Sequence, residues 1–197
     1  MDAIIQSQFP TVLAPRFEAL SPLETTGDRF ILTRHQVLME VSRPWLHAIQ
    51  AISAPFARQT PYGAGPRLGI KLRCGPVPKA LLDRFVLQAR AATPMETAAW
   101  IVWEAETCQF RYLPLANISV SAGHVKFERP QLEDGVHLVM DIHSHGELPA
   151  FFSEQDNADD ADQLCISAVL GRVSDETPQF VSRLSMLGVA VNLMEVI

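Results

Sequence analysis

Cysteine is scarce: the chain has three in 197 residues. Cys74, Cys108 and Cys165 are odd in number and widely spaced and form no C-x-x-C pair, which argues against both a disulfide framework and a thiolate zinc ribbon. A reducing, cytoplasmic setting fits that usage. No histidine neighbours these thiols and only Arg73 adjoins one of them, so they read as small buried hydrophobes rather than activated nucleophiles. Long apolar runs are missing too, so no segment is expected to span a bilayer. The start, Met1-Asp2-Ala3-Ile4-Ile5-Gln6, lacks the positive charge of a signal peptide and is soon interrupted by polar residues and Pro10. Basic charge is thin, with 16 Lys and Arg against 22 Asp and Glu for a net charge of -6. The densest basic group, Arg67, Lys71 and Arg73, has no interleaved aromatics, so nucleic acid is a poor candidate partner. Internal repeats and low-complexity segments are absent.

What is present is apolar residue, 48% of the chain, enough for a real core in one domain or in a main domain with an appendage. The texture breaks at Cys74-Gly75-Pro76-Val77-Pro78, where two prolines and a glycine interrupt any strand. That break predicts an N-terminal α/β appendage over 1–75 and a main domain over 76–197. In the first part, strands are expected at Arg29 to Thr33 and Gln36 to Val41. A helix is expected from Ser42 as cap and Pro44, carrying Trp45, Leu46, Ile49 and Ile52 at helical spacing. The loop Pro61 to Pro66 has neither the G-x-G-x-x-G spacing nor the Lys-Ser/Thr ending of a phosphate loop and reads as an ordinary turn.

In the second part, Pro78 opens a helix with Leu81, Leu82, Phe85, Val86 and Ala89 on one face, ending before Thr93-Pro94. Strands are expected at Glu96 to Trp103, with Trp100 and Trp103 in the core, then at Phe110 to Leu115 and Ile118 to Phe127. Another, Val136 to Ile142, delivers His143. A helix from about Ser153 to Leu164 follows, then strands at Ile166 to Val173, Phe180 to Leu187 and Val189 to Ile197. The alternation predicts a mixed α/β layer fold, neither all-helical nor a sandwich.

The chemistry concentrates in His143-Ser144-His145, followed by Ser153 and Asp156 in the pattern H-S-H-x7-S-x2-D. If both histidines continue the strand, alternation puts the imidazoles on one face, roughly 6 to 7 Å apart along the chain. Zinc takes imidazole nitrogen and carboxylate oxygen at about 2.0 to 2.1 Å, so the loop from Gly146 to Phe152 must bring in a third ligand, and Asp156 is the candidate. Three protein ligands leave a fourth position for water. Two imidazoles favour zinc over calcium or magnesium, while manganese and iron(II) also suit an N/O donor set. A general base is needed, and Glu96, Glu104 and Glu106 are all candidates that spacing alone does not separate. Ser153-x-x-Asp156 is equally a helix-capping signature, compatible with catalysis at the same serine. His35, His47, His124 and His137 have no comparable partners and read as surface or satisfied core histidines.

This pattern, with a helix-Glu-strand unit some way upstream, resembles the JAB/MPN (JAMM) metalloprotease family. The segment Glu96-Thr97-Ala98-Ala99-Trp100-Ile101-Val102-Trp103 is similar to the family's glutamate motif, and the resemblance extends over roughly residues 76–197. It implies a cytidine-deaminase-like mixed sheet flanked by helices and one zinc ion held by His143, His145 and Asp156. It also implies Glu96 as general base and Ser153 as the hydroxyl that supports the oxyanion. The implied activity is cleavage of an amide at the C-terminal tail of a ubiquitin-like or sulfur-carrier-like protein; a non-catalytic MPN scaffold that docks partners is the alternative. Ala98 to Trp103, Asp141 to Gly146 and Pro149 to Ser153 are further similar to the protein A component of the PRTRC cassette, whose members are encoded beside ThiF-like proteins, so a ThiF-like partner is implied. A zinc deaminase fits less well, because the H-x-E and P-C-x-x-C ligands are missing. Two positions depart from the family. Gly146 replaces a frequent proline, which predicts a more mobile loop. Asp141 stands where the family is apolar or aromatic, and reads either as an acceptor for an imidazole N–H or as a charge turned away from the core.

Overall fold

The computed structural model describes residues 3–8, 10–121, 124–127 and 129–193. By their internal contacts they form two compact units, Met1–Gly75 and Pro76–Ile197.

The first unit is a five-stranded sheet in the order β1-β2-β3-β4-β5, with β1 Thr11–Leu13, β2 Gly27–Leu32, β3 Val37–Ser42, β4 Leu46–Ala51 and β5 Gly69–Leu72. Its first pair is parallel and the others are antiparallel. Among the described residues, the helix of this unit is α1, Ala3–Gln8, so the expected α/β appendage is mostly sheet. The helix expected from Ser42 is instead the second arm of a hairpin. Arg43 and Leu46 exchange backbone hydrogen bonds of 2.7 and 3.2 Å around Pro44-Trp45, and Ser42 pairs with His47. A proline that suits a helix's first turn suits this two-residue turn equally well. The open edges of β3 and β5 then claim Leu46–Ala51 as a strand, and sheet pairing overrides the helical spacing of its apolar residues.

Inside this sheet one carboxylate is fully buried. Glu40, on β3, accepts from Arg29 Nε at 2.7 Å and from the Leu23 backbone N–H at 2.8 Å, and it lies 2.8 Å from His47 Nε2. Burial pushes its carboxyl up, but these partners together hold it below the usual glutamate value. His47 is therefore a half-buried histidine satisfied by this carboxylate.

The second unit is a mixed six-stranded sheet, ordered β13-β12-β11-β10-β6-β7. Its strands are β6 Ala98–Glu104, β7 Gln109–Pro114, β10 Val136–Ser144, β11 Leu164–Gly171, β12 Gln179–Met186 and β13 Val189–Asn192. Only β10 and β11 run parallel. The segment expected as one strand from Ile118 to Phe127 is a hairpin, β8 Asn117–Ser121 and β9 His124–Phe127; its turn residues 122–123 and the His124 side chain lie outside the described residues. The same holds for residues 194–197 of the expected last strand.

Helix α2, Lys79–Ala92, buries Phe85 and Ala89 against one face of this sheet. Gln88 ties the two together: its Nε2 donates to Thr97 Oγ1 at 2.7 Å and its Oε1 accepts from the Tyr112 hydroxyl at 2.7 Å. Trp100 and Trp103 are core residues, 6% and 8% exposed. Of the thiols only Cys165 is buried. Cys74 is half-buried and Cys108 is exposed in the β6–β7 turn, a correction to the expectation that all three would be core. A thiol is small enough to sit in a tight turn, so its apolar character does not fix its place.

Candidate metal centre

The C-terminal end of β10 carries His143, and His145 follows one residue beyond the strand. The ladder nevertheless continues, since the His145 N–H donates to Leu170 O at 2.8 Å. Both imidazoles therefore leave the sheet on one side, with ring centroids 5.0 Å apart. Ser144, between them, points the other way into the core. Its hydroxyl accepts from the Thr97 N–H at 3.1 Å and its own N–H donates to Thr97 O at 2.9 Å, which locks the start of β6 to the end of β10.

The loop after His145 then returns across the sheet. Gly146 has φ 56, and a Cβ there would stand 3.1 Å from Pro94 O. Proline, fixed near φ −65°, could not adopt this backbone, which explains the departure at Gly146. Hydrogen bonds from Leu148 N to His145 O, Val173 N to Gly146 O and Arg172 N to Leu148 O fasten the loop. Gly171 lets it pass closely: a Cβ there would lie 2.2 Å from Ala150 N.

The loop ends at Ser153, the N-cap of α3, Glu154–Asp159. Ser153 Oγ accepts from Asp156 N at 3.1 Å and donates to Asp156 Oδ2 at 2.7 Å, and Ser153 N donates to the same oxygen at 2.7 Å. The expected capping box is present, and it aims the Asp156 carboxylate at the histidines. Six residues make too short a helix to hold itself. Arg183, from β12, clamps it through Asp160 Oδ2 at 2.6 Å and Asn157 Oδ1 at 2.6 Å, with its guanidinium 3.8 Å over the Phe152 ring. Sequence reasoning missed Arg183, because nothing local marks an arginine that reaches a helix more than twenty residues earlier.

Three donors converge as a result. His143 Nε2 lies 3.1 Å from His145 Nε2 and 3.3 Å from Asp156 Oδ1, and His145 Nε2 lies 3.9 Å from Asp156 Oδ2. Ligands at tetrahedral angles around zinc stand about 3.3 Å from one another when each bond is near 2.05 Å. The donor set and spacing therefore fit a zinc-sized cation. Two facing imidazole nitrogens and a carboxylate also need a cation or proton between them. Burial pushes the His143 imidazole below its usual value, and Asp156 offsets this in part, so its lone pair is available. His145 is held by the edge of Phe151, at 4.8 Å between centroids, and its Nδ1 is buried with no hydrogen-bond partner among the described residues.

A cavity of about 250 Å³ opens over the three donors, and Glu96 and Ser153 line it. Glu96 lies in the loop two residues before β6, not on the strand as expected. Glu104 ends that strand in an ion pair with Arg111 at 2.6 Å, and Glu106 is exposed in the turn beyond; neither lines the cavity. Asp141 faces the cavity, because β10 alternates and Asp141 and His143 share a side. Burial pushes its carboxyl up to about 6, against the lowering by Arg129 and the Trp100 indole. The expected alternative of a charge turned away is thereby corrected.

Residues 78–184 match the family described as prokaryotic homologs of the JAB domain. The chain belongs to that family. Its JAB-type domain has the mixed α+β fold expected, and its histidine-aspartate group fits a JAMM-type metal site. Residues 1–73 match a domain of unknown function, DUF2016. No curated protein matches the chain. Among solved structures, the solution structure of protein DSY2949 from Desulfitobacterium hafniense is similar over 58% of this chain and 86% of its own, with 19% identity and a TM-score of 0.44. Among the described residues, no helix is long and apolar enough to cross a membrane.

Proposed function

We propose that this JAB-domain protein is a zinc-dependent peptidase or isopeptidase that hydrolyses an amide at the C-terminal tail of a ubiquitin-like or sulfur-carrier-like protein. A ThiF-like partner and a cytoplasmic setting belong to the same reading. The observation that carries it is the convergence of His143, His145 and Asp156 at ligand spacing in a cavity that Glu96 also lines. Bound there, zinc supplies Lewis acidity and lowers the pKa of water toward about 7. The protein's own groups do the rest. The Glu96 carboxylate takes the proton from attacking water and returns it to the leaving amine. Ser153 has two tasks: its hydroxyl orients Asp156, and it reaches the developing oxyanion by turning its hydrogen away from Oδ2. Phe151 and Phe152 wall the site and limit bulk water.

The test compares wild type with Glu96→Gln on a sulfur-carrier-type protein fused through its C-terminal tail, read by intact mass, with zinc measured in the same samples. Gln keeps the shape of the side chain but loses proton acceptance, so zinc is retained and cleavage falls by about 10² to 10⁴-fold. Full zinc occupancy with no cleavage by wild type would favour the alternative, an MPN-type scaffold that docks partners.

A further inference from the structure

The cavity has a second polar centre beside the metal donors. Asp141 lies two residues before His143 on β10, and its side chain is 19% exposed, with its oxygens toward the cavity. Ser167 stands opposite it in register on β11, and on the other side its surroundings are apolar. Trp100 stands opposite it in register on β6 and belongs to a core cluster with Ala98 and Leu115, onto which Phe127 packs. Leu115 and Phe127 also line the cavity, so an apolar wall leads to a carboxylate.

Of the carboxylates lining this cavity besides Glu96, Asp156 is held by Ser153, Asp159 by Gln155 and Asp160 by Arg183. Arg129 is the arginine on the lining, and its Nη2 stands 3.8 Å from Asp141 Oδ2, an ion pair too long for a hydrogen bond. The Arg129 side chain is 44% exposed, so it rests over the carboxylate rather than being built in. A guanidinium on an aliphatic stem can therefore reach Asp141 from the open side. Such a side chain matches the trough in both parts, with methylenes along Leu115 and Phe127 and a cationic head on the carboxylate. A bare calcium or magnesium ion would want six or more oxygen ligands, and an apolar wall offers none.

We propose that Asp141 is the specificity residue of a subsite for a long basic side chain, arginine or lysine, of the peptide cleaved at the metal centre, and that Arg129 fills this subsite until substrate displaces it. The proposal rests on the peptidase reading above and names its substrate class.

The test uses the full-length, zinc-loaded protein titrated with acetyl-Ala-Arg-Ala-amide and its lysine, citrulline and glutamate counterparts, followed by NMR shifts, so that no turnover is required. Wild type should bind the arginine peptide about tenfold more tightly than the citrulline peptide, which keeps shape and loses charge, and the glutamate peptide most weakly. Asp141→Asn should erase that preference and leave citrulline binding unchanged. Arg129→Ala should strengthen arginine binding by removing the internal competitor. Equal binding of arginine and citrulline by wild type, no binding of any peptide, a preference that survives Asp141→Asn, or weaker arginine binding in Arg129→Ala each overturns the proposal. Zinc content of the same samples tests the metal centre separately: a wild type without zinc overturns that reading whatever the peptides do, and full zinc without an arginine preference overturns the subsite alone.

Discussion

Each of the two units sets a carboxylate among basic groups. In the N-terminal sheet, Glu40 meets Arg29, His47 and the Leu23 N–H, and its two oxygens are fully engaged by the chain itself. In the JAB-type domain, Ser153 holds Asp156 Oδ2, which lies 3.9 Å from His145 Nε2, while Oδ1 lies 3.3 Å from His143 Nε2, and the two imidazole nitrogens face each other. The first cluster is satisfied by its own partners. The second brings three donor atoms together at ligand spacing. Buried polar groups alone do not mark a functional site; what marks one is a set of donors that converge at ligand spacing on a cavity.

The comparison breaks most sharply on metal. His143→Ala or His145→Ala should take zinc from one ion per chain to nearly none, a larger loss than the roughly 10 to 100-fold caused by changes outside the ligand shell. Elemental analysis decides this, and equal zinc in wild type and the double variant would sink the assignment. Glu40→Ala should act on folding instead. It leaves Arg29 and His47 without their buried partner, at a cost of about 3 to 5 kcal/mol in urea unfolding. The ligand set, all within residues 76–197, stays complete in this variant.

Acid should separate the two clusters by pH. His143 is depressed in the folded state, so in metal-free protein its contribution is present above the ordinary value of 6.5 and is lost as pH falls through the lower folded value. Glu40 is also depressed, so its contribution is present above 4.5 and lost only as pH falls through its own, lower folded value. Hydrogen exchange resolved by segment should therefore report loosening around β10 at higher pH than around β3, and the reverse order would contradict both assignments. The smallest effect belongs to Glu104→Gln. It breaks a half-exposed pair with Arg111 worth about 0 to 1 kcal/mol and should change neither zinc content nor cleavage.

Much of the second unit was legible because its signals are local. The break at Gly75 to Pro78, the helix over Lys79–Ala92 and the apolar run into His143 each declare themselves within a few residues. So does the capping pattern at Ser153, whose spacing places the Asp156 carboxylate on Ser153's own backbone N–H. The stretch Ser42 to Ile52 was misleading for the same reason. Its helical spacing is real, but β3 and β5 decide its structure, and they pair with it from outside the window that periodicity reads.

The sequence by itself determined the donors: two histidines in strand alternation, an aspartate on the first turn of a capped helix, and three glutamates able to act as base. Spacing left Glu96, Glu104 and Glu106 level, and the tertiary structure puts Glu96 alone of the three on the cavity, because Ser144 locks Thr97 beside the histidines while β6 carries Glu104 to the opposite end of the sheet. It alone turned Asp141 into the cavity and recruited Arg183 to hold α3. The physical reason is the same in each case: residue chemistry and short spacing are written along the chain, whereas the meeting of β10, β6, β12 and α3 depends on strand register and packing that no local stretch encodes.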